Sequence, residues 1–235
     1  ADTPRFEELL GDGSQFGLKL SYKVQPSPDG LAQAFTLGKD FINGEPCAMI
    51  LGDNIFYGNG FTELLKNATA DAQKGKATVF GYYVNDPERF GVVDFDKDGK
   101  AISIEEKPAQ PKSNYAVTGL YFYPAGVSEK AAQVKPSARG ELEITSLNEM
   151  YLDDDNLRVQ LLGRGYAWLD TGTTESLLQA SNFVSAMEIN TGMKISCIEE
   201  VAYRMGYISK QNLSDLAKNF KNGYGEYLQR IVIKN

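Results

Sequence analysis

The stretch CAMILGDNIFYG, residues 47–58, decides how the fold of this chain is interpreted. It opens with an apolar run typical of a buried strand, and the carboxylate of Asp53 follows directly after that run. Gly-Asp-Asn is ordinary turn chemistry, so the stretch taken alone favours a turn. The alternative is a metal ligand, because open α/β sheets bind their ligands beyond the carboxyl ends of the strands.

The composition is that of an ordinary globular protein, except that histidine is absent. The chain has 235 residues with 24 basic and 31 acidic side chains, a formal charge of −7. No Lys/Arg block stands out, which argues against a nucleic-acid or membrane-surface partner. Without histidine, Ser-His-Asp catalysis, Cys-His catalysis and His-ligated zinc are excluded. Any chemistry must therefore use Asp, Glu, Lys, Arg, Tyr and a bound metal.

The cysteine usage indicates a reducing compartment. Cys47 and Cys197 are far apart in the sequence and are typical of buried thiols rather than of a disulfide framework. No signal-sequence pattern and no apolar run of membrane-spanning length occur in the sequence. We therefore expect a cytoplasmic location.

Apolar strands alternate with amphipathic helices along the chain, which indicates an α/β sheet with some antiparallel neighbours and a helical C-terminal part. Strands are predicted at 18–25, 47–54, 77–84, 90–96, 101–107, 114–124, 157–163 and 166–172. Helices are predicted at 2–10, 30–41 with Asp29 as its cap, 61–75, 141–154 and throughout from 174 onward.

One segment matches a calcium-binding loop. The sequence DFDKDGKAISIE, residues 94–105, fulfils the EF-hand pattern. An EF-hand requires a helix on each side, however, and the flanking residues are strand-like. Asp98-Gly99 is a strong hairpin signal. We therefore predict a β-hairpin here and no calcium site.

The segment QPSPDGLAQAF, residues 25–35, has features of a nucleobase-binding loop. Its prolines stiffen the loop, and Gly30 allows the backbone to approach a flat ligand closely. The Gln25 amide offers the donors and the acceptor that match the edge of a nucleobase. The alternative is a rigid connector between elements.

Three further motifs place charged side chains at the ends of predicted elements. EEKP carries Lys107 at a strand end, for which the alternative is a surface charge pair. ARGELEIT carries Arg139 ahead of a helix, where a guanidinium could fork onto a phosphate. WLDTGT repeats the pattern of the opening stretch, with Asp170 after an apolar strand.

Together these residues suit metal-assisted phosphoryl-type transfer. Mg²⁺ is typically held by one or two carboxylates together with substrate phosphates, and Asp53 and Asp170 could supply the carboxylates. If the attacking group is already ionised, as in a sugar phosphate, no general base is needed. Catalysis then consists of positioning and charge neutralisation, which accounts for the missing histidine.

The ordered set of motifs resembles the bacterial glucose-1-phosphate thymidylyltransferases over essentially the whole chain. The motifs are QPSPDGLAQAF, LGDNIFYG, RFGVV, EEKP, NYAVTGLYFYP, ARGELEIT and WLDTGT. The resemblance implies a mixed, mainly parallel, Rossmann-like nucleotide-binding sheet with helices on both faces. It implies a nucleotidyltransferase core over 1–182 and a C-terminal helical segment over 183–235.

The same resemblance implies the reaction and the partners. With Mg²⁺ as cofactor, dTTP and glucose 1-phosphate would give dTDP-glucose and pyrophosphate, feeding deoxysugars such as rhamnose. Members of this family are commonly homotetramers with a feedback site for dTDP-rhamnose at a subunit interface. We therefore expect a homo-oligomer.

The resemblance also implies a role for individual residues. Gln25, Gly30 and Leu51 would contact the nucleotide, and Asp53 and Asp170 would hold Mg²⁺. Lys107 and Arg139 would be catalytic by neutralising phosphate charge. The residues expected to contact the glucose or its phosphate are Gly91, Glu106, Lys107, Val117, Tyr121, Arg139 and Trp168.

The sequence departs from the family pattern at its start. Family members begin with a strand and a Gly-rich GGxGTRL-type loop that binds the triphosphate, whereas this sequence opens on the helix pattern DTPRFEELL. We expect an N-terminal segment ahead of it. The alternative hypothesis is a non-catalytic fragment or subunit that binds sugar nucleotide. UTP or ATP as donor and a metal-dependent glycosyltransferase are further alternatives.

Overall fold

The computed structural model describes residues 2–234 and contains eight strands. The strands are β1 Cys47–Ile50, β2 Asn54–Gly58, β3 Ala77–Tyr83, β4 Gly91–Phe95, β5 Ala101–Glu106, β6 Tyr115–Tyr123, β7 Leu157–Leu162 and β8 Tyr166–Asp170. The α-helices are α1 Thr3–Leu10, α2 Gln33–Leu37, α3 Lys39–Ile42, α4 Phe61–Gln73, α5 Val127–Ala131, α6 Ile144–Asp153, α7 Thr174–Thr191, α8 Ile198–Arg204, α9 Lys210–Ala217 and α10 Gly223–Lys234. Short 3₁₀ helices lie at Ser14–Phe16 and Pro87–Arg89.

Strand β6 is the centre of the main sheet. The strand order is β5-β4-β6-β3-β7, and β1 also pairs with β6. Strands β4 and β1 share one edge of β6, since β4 pairs with Tyr115 and Ala116, and β1 pairs with residues 120–123. Strands β2 and β8 form a separate antiparallel pair. The central strand therefore changes partner between residues 116 and 120.

The mixed α/β class is confirmed, but the expected mainly parallel pairing is wrong for the described residues. Among them, β3 and β7 are the one parallel pair, and the other paired strands are antiparallel. The physical reason is partly local, because β4 and β5 are joined by a tight turn, which brings the second strand back antiparallel.

The hairpin predicted in place of a calcium loop is confirmed. Asp96 Oδ1 accepts hydrogen bonds from the backbone N–H groups of Asp98 and Lys100, each at 2.9 Å. Gly99 has a φ of +78°, the left-handed conformation that glycine adopts without steric cost. The side chain of Asp96 is thus used to close a turn.

Helices cover both faces of the sheet, as expected. On β3, Val79 faces a core that includes Phe35 of α2 and Leu147 of α6. The next residue, Phe80, faces the opposite core with Ala68 of α4. This alternation follows from the period of two along a strand. The sheet is therefore buried between two helical layers.

Three secondary-structure predictions need correction. Residues 18–25 form no strand, because their start is held to a preceding turn by bonds from Leu18 N–H to Gly13 O and from Leu20 N–H to Asp12 O. The helix predicted at 30–41 is two short helices, and the Asp29 carboxylate accepts from Ser27 and Gln33 side chains instead of capping it.

The third correction concerns β1, which is only half buried. Its side chains alternate between intermediate and exposed positions, and Ile50 is 60% exposed. The strand pairs with β6 along one edge, so an apolar run in the sequence does not here mean burial on both faces.

The chain divides into two compact units. One comprises Gln25–Leu177 and contains the two sheets. The other joins the segment through Val24 to the helices from Leu178 onward, and its core includes Phe16, Leu213 and Leu228. This grouping differs from the expected division at 182/183, because the first 24 residues group with the C-terminal helices. Within residues 2–234, no helix is long and apolar enough to cross a membrane.

Candidate functional site

A cleft lies where β6 changes partner. Between the segments paired with β4 and β1, Gly119 N–H donates to Asn54 Oδ1 at 2.9 Å, and Gly119 O accepts from Leu51 N–H at 2.8 Å. A Cβ on Gly119 would lie 2.6 Å from Asn54 Oδ1, so the position requires glycine. The cleft has a volume of ≈ 210 Å³. Its lining is Leu31, Leu51, Asn54, Arg89, Phe90, Gly91, Glu106, Lys107, Val117, Gly119, Tyr121, Ile144, Thr145, Trp168 and Asp170.

Asn54 connects several walls of this cleft. Besides the bond from Gly119, its Oδ1 accepts a hydrogen bond from Trp168 Nε1 at 2.6 Å. Its Nδ2 donates to Asp53 Oδ1 at 2.8 Å. One amide therefore positions the break in β6, the indole of β8 and a carboxylate.

The Trp168 indole is fixed from both sides by aromatic rings. Tyr82 contacts it edge-on with ring centroids 6.0 Å apart, and Phe90 does so at 5.1 Å. Edge-to-face contacts of this kind are the favoured geometry of aromatic pairs. Because Nε1 is also hydrogen bonded, the indole forms a rigid wall of the cleft.

Asp53 and Asp170 are brought together by the pairing of β2 with β8. Asn54 lies opposite Asp170 in the register, and Thr171 donates to Asp53 O from its N–H at 2.9 Å and from Oγ1 at 2.8 Å. A Cβ built on Gly172 would lie 3.5 Å from Asp170 Oδ1 and 3.8 Å from Asp53 Oδ2. Both carboxylates thus border one small space.

That space fits a divalent cation. Burial raises the pKa of Asp170, and the nearby Asp53 carboxylate raises it further. A cation between the two groups would relieve this repulsion. Within residues 2–234 no cluster of three or more acidic or Cys ligands occurs, so substrate oxygens would have to complete a metal site here.

Glu106 is held by a hydrogen-bonded network at the end of β5. Thr145 Oγ1 donates to Glu106 Oε2 at 2.5 Å, and Arg139 contacts Glu106 Oε1 at 3.3 Å. Arg139 is fixed in turn by the buried Glu143, at 2.8 and 3.1 Å, and lies 3.5 Å from Glu141. The pKa of Arg139 is raised, first by its hydrogen bond to Glu143. Its guanidinium is thus shared among three carboxylates.

Lys107 lies at the rim with an unusual backbone. Its φ is +43°, and its N–H donates to Phe90 O at 3.0 Å. Left-handed backbone is disfavoured for a residue with a side chain, and Pro108 restricts the preceding residue further. Such strain is found mainly where the surrounding structure fixes a functional side chain.

Most of the predicted site residues line the cleft, and four do not. Those in the lining are Leu51, Gly91, Glu106, Lys107, Val117, Tyr121, Trp168 and Asp170. Asp53 is hydrogen bonded to the lining residue Asn54, and Arg139 contacts the lining residue Glu106. Gln25 Nε2 donates within its own loop, to Gln33 Oε1 at 2.7 Å and Gly30 O at 3.1 Å.

Gly30 has a packing role in this structure. Its φ is +110°, and a Cβ there would lie 2.4 Å from Leu142 O. Glycine is therefore required by the backbone of the chain itself, whatever ligand the loop binds.

Sequence reasoning missed several lining residues. They are Leu31, Asn54, Arg89, Phe90, Gly119, Ile144 and Thr145. All of them lie in motifs quoted above: Leu31 in QPSPDGLAQAF, Asn54 in LGDNIFYG, Arg89 and Phe90 in RFGVV, Gly119 in NYAVTGLYFYP, and Ile144 and Thr145 in ARGELEIT. The motifs therefore identified the segments, but which of their residues face the cleft depends on the packing of distant segments, which the sequence does not display.

Known proteins resemble this chain in sequence and in fold. The family model "Nucleotidyl transferase" matches residues 1–187. A glucose-1-phosphate thymidylyltransferase of Neisseria meningitidis serogroup A is 56% identical over 234 residues, which are 99% of this chain and 81% of that protein. One of Mycolicibacterium smegmatis is 51% identical over 99% of this chain and 80% of that protein.

Solved structures agree. A Bacillus anthracis protein named as a glucose-1-phosphate thymidylyltransferase, crystallised with sucrose, is 42% identical with a TM-score of 0.67 over 77% of this chain and 71% of that chain. A UDP-glucose pyrophosphorylase in complex with UDP-glucose is 26% identical with a TM-score of 0.60, over 71% of this chain and 66% of that chain. Cleft, fold and sequence lead to one conclusion: this chain belongs to the glucose-1-phosphate thymidylyltransferases of the nucleotidyl transferase family.

Proposed function

We propose that the chain transfers the thymidylyl group of dTTP to glucose 1-phosphate, giving dTDP-glucose and pyrophosphate. The observation that carries the proposal is the cleft itself. Its lining combines Asp170, which lies near Asp53 and the cation Lys107, with the Trp168 indole and the Glu106 carboxylate. The charged side chains suit the binding of a phosphate and its metal ion. The polar and aromatic side chains suit the binding of a sugar.

The proposed chemistry is an in-line displacement. An anionic phosphate oxygen of glucose 1-phosphate attacks the α-phosphorus of dTTP, a new P–O bond forms, and the bond to pyrophosphate breaks. The attacking oxygen is already ionised, so no side chain has to remove a proton. Asp53 and Asp170 would hold Mg²⁺, which when bound supplies charge neutralisation at phosphate oxygens. Lys107, which belongs to the same lining as Asp170, would neutralise further phosphate charge.

Arg139 is proposed to act chiefly on Glu106. Its contacts with three carboxylates support a role in fixing the Glu106 carboxylate toward the sugar hydroxyls. Gly91, Val117, Tyr121 and Trp168 would form the rest of the sugar pocket, which their place in the lining supports.

The thymine would lie against Leu51, beside the loop of Gln25 and Gly30. The Gln25 amide is half of a side-chain pair with Gln33 in the absence of ligand. We propose that this amide exchanges its partner for the edge of the base, since an amide offers both donors and an acceptor. Until then, the hydrogen bond to Gln33 holds the Gln25 amide within its loop.

The remaining parts of the proposal concern context. We propose a homotetramer with dTDP-rhamnose as feedback inhibitor, in a rhamnose-type deoxysugar pathway. The exposed apolar side chains Leu178 and Ile189 on α7, 62% and 79% exposed, support assembly. The unpaired thiols of Cys47 and Cys197 support a reducing, cytoplasmic location.

The test is pyrophosphate release from dTTP and glucose 1-phosphate in the presence of Mg²⁺, compared with Asp53→Asn and Asp170→Asn. We expect turnover in the unchanged protein and a loss of about 100-fold or more in each variant, because one of the two carboxylates proposed to hold the metal is removed. Binding of dTDP-glucose by calorimetry without turnover would instead favour the non-catalytic hypothesis.

A further inference from the structure

Two cationic side chains line the cleft, and the proposed mechanism uses only one of them. Lys107 and Arg89 both belong to the lining. Arg139, the other arginine near this end, is shared among three carboxylates, one of which is buried. Arg89 is therefore the cleft cation for which no role has been assigned.

The backbones of Arg89 and Lys107 are brought close together at the base of the β4–β5 hairpin. Gly91 pairs with Glu106 in the register, and the next step outward joins Phe90 O to Lys107 N–H at 3.0 Å. Arg89 precedes Phe90 at the end of the 3₁₀ helix Pro87–Arg89. The two cations thus flank one hydrogen-bonded junction and are not independent surface residues.

The guanidinium of Arg89 is oriented toward the carboxylate end of the cleft. One Nη lies 3.9 Å from Asp170 Oδ2, and the guanidinium carbon lies 5.2 Å from the centroid of the Phe90 ring. The contact with the Phe90 ring limits the motion of the guanidinium and uses none of its hydrogen-bond donors.

We propose that Arg89 is a phosphate-binding residue of the cleft, which acts with Lys107 on the phosphates of the nucleotide sugar. The inference rests on the proposed function. The fork of a guanidinium matches two phosphate oxygens, and its position beside Asp170 places it where substrate phosphates meet the carboxylate pair.

A surface ion pair is the competing explanation for Arg89. One Nη does donate to Asp86 at 2.7 Å, but both side chains are 45% exposed and such pairs contribute little to stability. A guanidinium has five donors, so the bond to Asp86 leaves others for a ligand. The pair with Asp86 can hold the side chain in place while a phosphate binds.

The experiment is calorimetric titration of dTDP-glucose into the full chain and into Arg89→Gln. Arg164→Gln is the matched control, because Arg164 is an exposed arginine in the loop between β7 and β8 and its loss changes the net charge equally. We expect Kd to rise about tenfold or more in Arg89→Gln and less than twofold in Arg164→Gln. Arg89→Lys should give an intermediate Kd, since it keeps the charge without the fork.

Titration with thymidine, which lacks phosphate, separates a phosphate contact from a general effect. Its affinity should be the same in the unchanged protein and in Arg89→Gln. Equal weakening of thymidine and dTDP-glucose, or an unchanged Kd for dTDP-glucose in Arg89→Gln, would overturn the inference while leaving the proposed function intact. No binding of dTDP-glucose to the unchanged protein would overturn both.

Discussion

Asn54 is the residue on which the geometry of the cleft depends most directly. Its Oδ1 accepts from Gly119 N–H and Trp168 Nε1, and its Nδ2 donates to Asp53. Asparagine is the side chain of this size that can accept two bonds and still donate one. An aspartate of the same shape would keep the acceptor and lose the donor.

We predict that Asn54→Asp and Asn54→Ala separate stability from activity. Asn54→Ala leaves the Gly119 and Trp168 donors without their acceptor and should lower the free energy of unfolding by about 1–3 kcal/mol. Asn54→Asp keeps this acceptor and should lose less stability than Asn54→Ala. It should still lose pyrophosphate-release activity by about tenfold or more, because a third carboxylate would face Asp53. Full activity of Asn54→Asp would show that the donated bond is unimportant.

Gln25 tests the assignment of the base-binding loop. We predict that Gln25→Ala reduces the preference for dTTP over dCTP about three- to tenfold, because the lost amide binds the base edge at which thymine and cytosine differ. The measurement is the ratio of the two kcat/KM values. Gln33→Ala is the control, since it removes the bond to Gln25 without removing the Gln25 amide. A preference that does not change in Gln25→Ala would exclude the assigned role.

At this scale the sequence is informative where chemistry and strand ends coincide. Asp53 and Asp170 follow apolar runs, and this pattern predicted both as metal ligands, but the pairing of β2 with β8 that brings them together was not predicted, because β2 was not recognised as a separate strand. The engagement of Arg139 by three carboxylates was not predictable, because Glu106 is 33 residues away in sequence. For Gly30 the sequence suggested a ligand contact, whereas the close approach of Leu142 is a packing reason for glycine that the sequence does not reveal.

At the scale of the elements, the change of partner along β6 depends on Gly119. We predict that Gly119→Ala lowers the free energy of unfolding by about 1–3 kcal/mol and weakens sugar-nucleotide binding, because its Cβ would overlap Asn54 and Leu51. Gly163→Ala is the matched control, since a Cβ there meets nothing within 4 Å. Chemical denaturation of both variants is the measurement. Equal stabilities of the two variants would contradict the close approach at Gly119.

The C-terminal helices contain two hydrogen bonds between a tyrosine and a carboxylate. Burial raises the pKa of Tyr227 to about 12, and its bond to Glu200 adds to the shift. Tyr224 donates to the buried Glu199 at 2.5 Å, and its pKa is raised as well. Both phenols are thus held in the neutral form by the folded chain.

We therefore predict an alkaline loss of stability. The phenol of an unfolded chain ionises near pH 10, so the stabilising contribution of Tyr227 is complete below about pH 10 and is lost as the pH rises to about 12. Tyr227→Phe should be less stable by about 1 kcal/mol at neutral pH and should approach the unchanged protein at pH 12. Denaturation followed by circular dichroism across this range is the test. A constant difference would contradict the assignment.

Secondary structure was predicted correctly where the hydrophobic periodicity is strong. The prediction was wrong where contacts with distant segments determine the structure. The alternation of β3 and β6 and the hairpin at Asp98-Gly99 follow from local chemistry. Strand direction does not, because periodicity is the same in parallel and antiparallel pairs. Residues 18–25 alternate like a strand, yet their start bonds to a turn instead of to a strand.

At the scale of the whole molecule, one compact unit was predictable from sequence patterns and the other was not. The α/β class and the order of elements in Gln25–Leu177 were predictable from alternating patterns. The grouping of the first 24 residues with the C-terminal helices was not, because contacts such as the backbone of Gly17 against Tyr207 join distant segments. A Cβ on Gly17 would lie 2.3 Å from Tyr207 O, which shows how closely the two segments approach.

The change of partner along β6 gives the molecule a natural reporter of cleft opening. The Gly119 amide proton is bonded to a side chain, whereas the amides of a paired strand are bonded to a neighbouring backbone. Its exchange with solvent deuterium should therefore follow rotations of the Asn54 side chain and not the unfolding of the sheet. A ligand that immobilises Asn54 would slow this one proton selectively, so a single resonance could time the opening of the cleft during turnover.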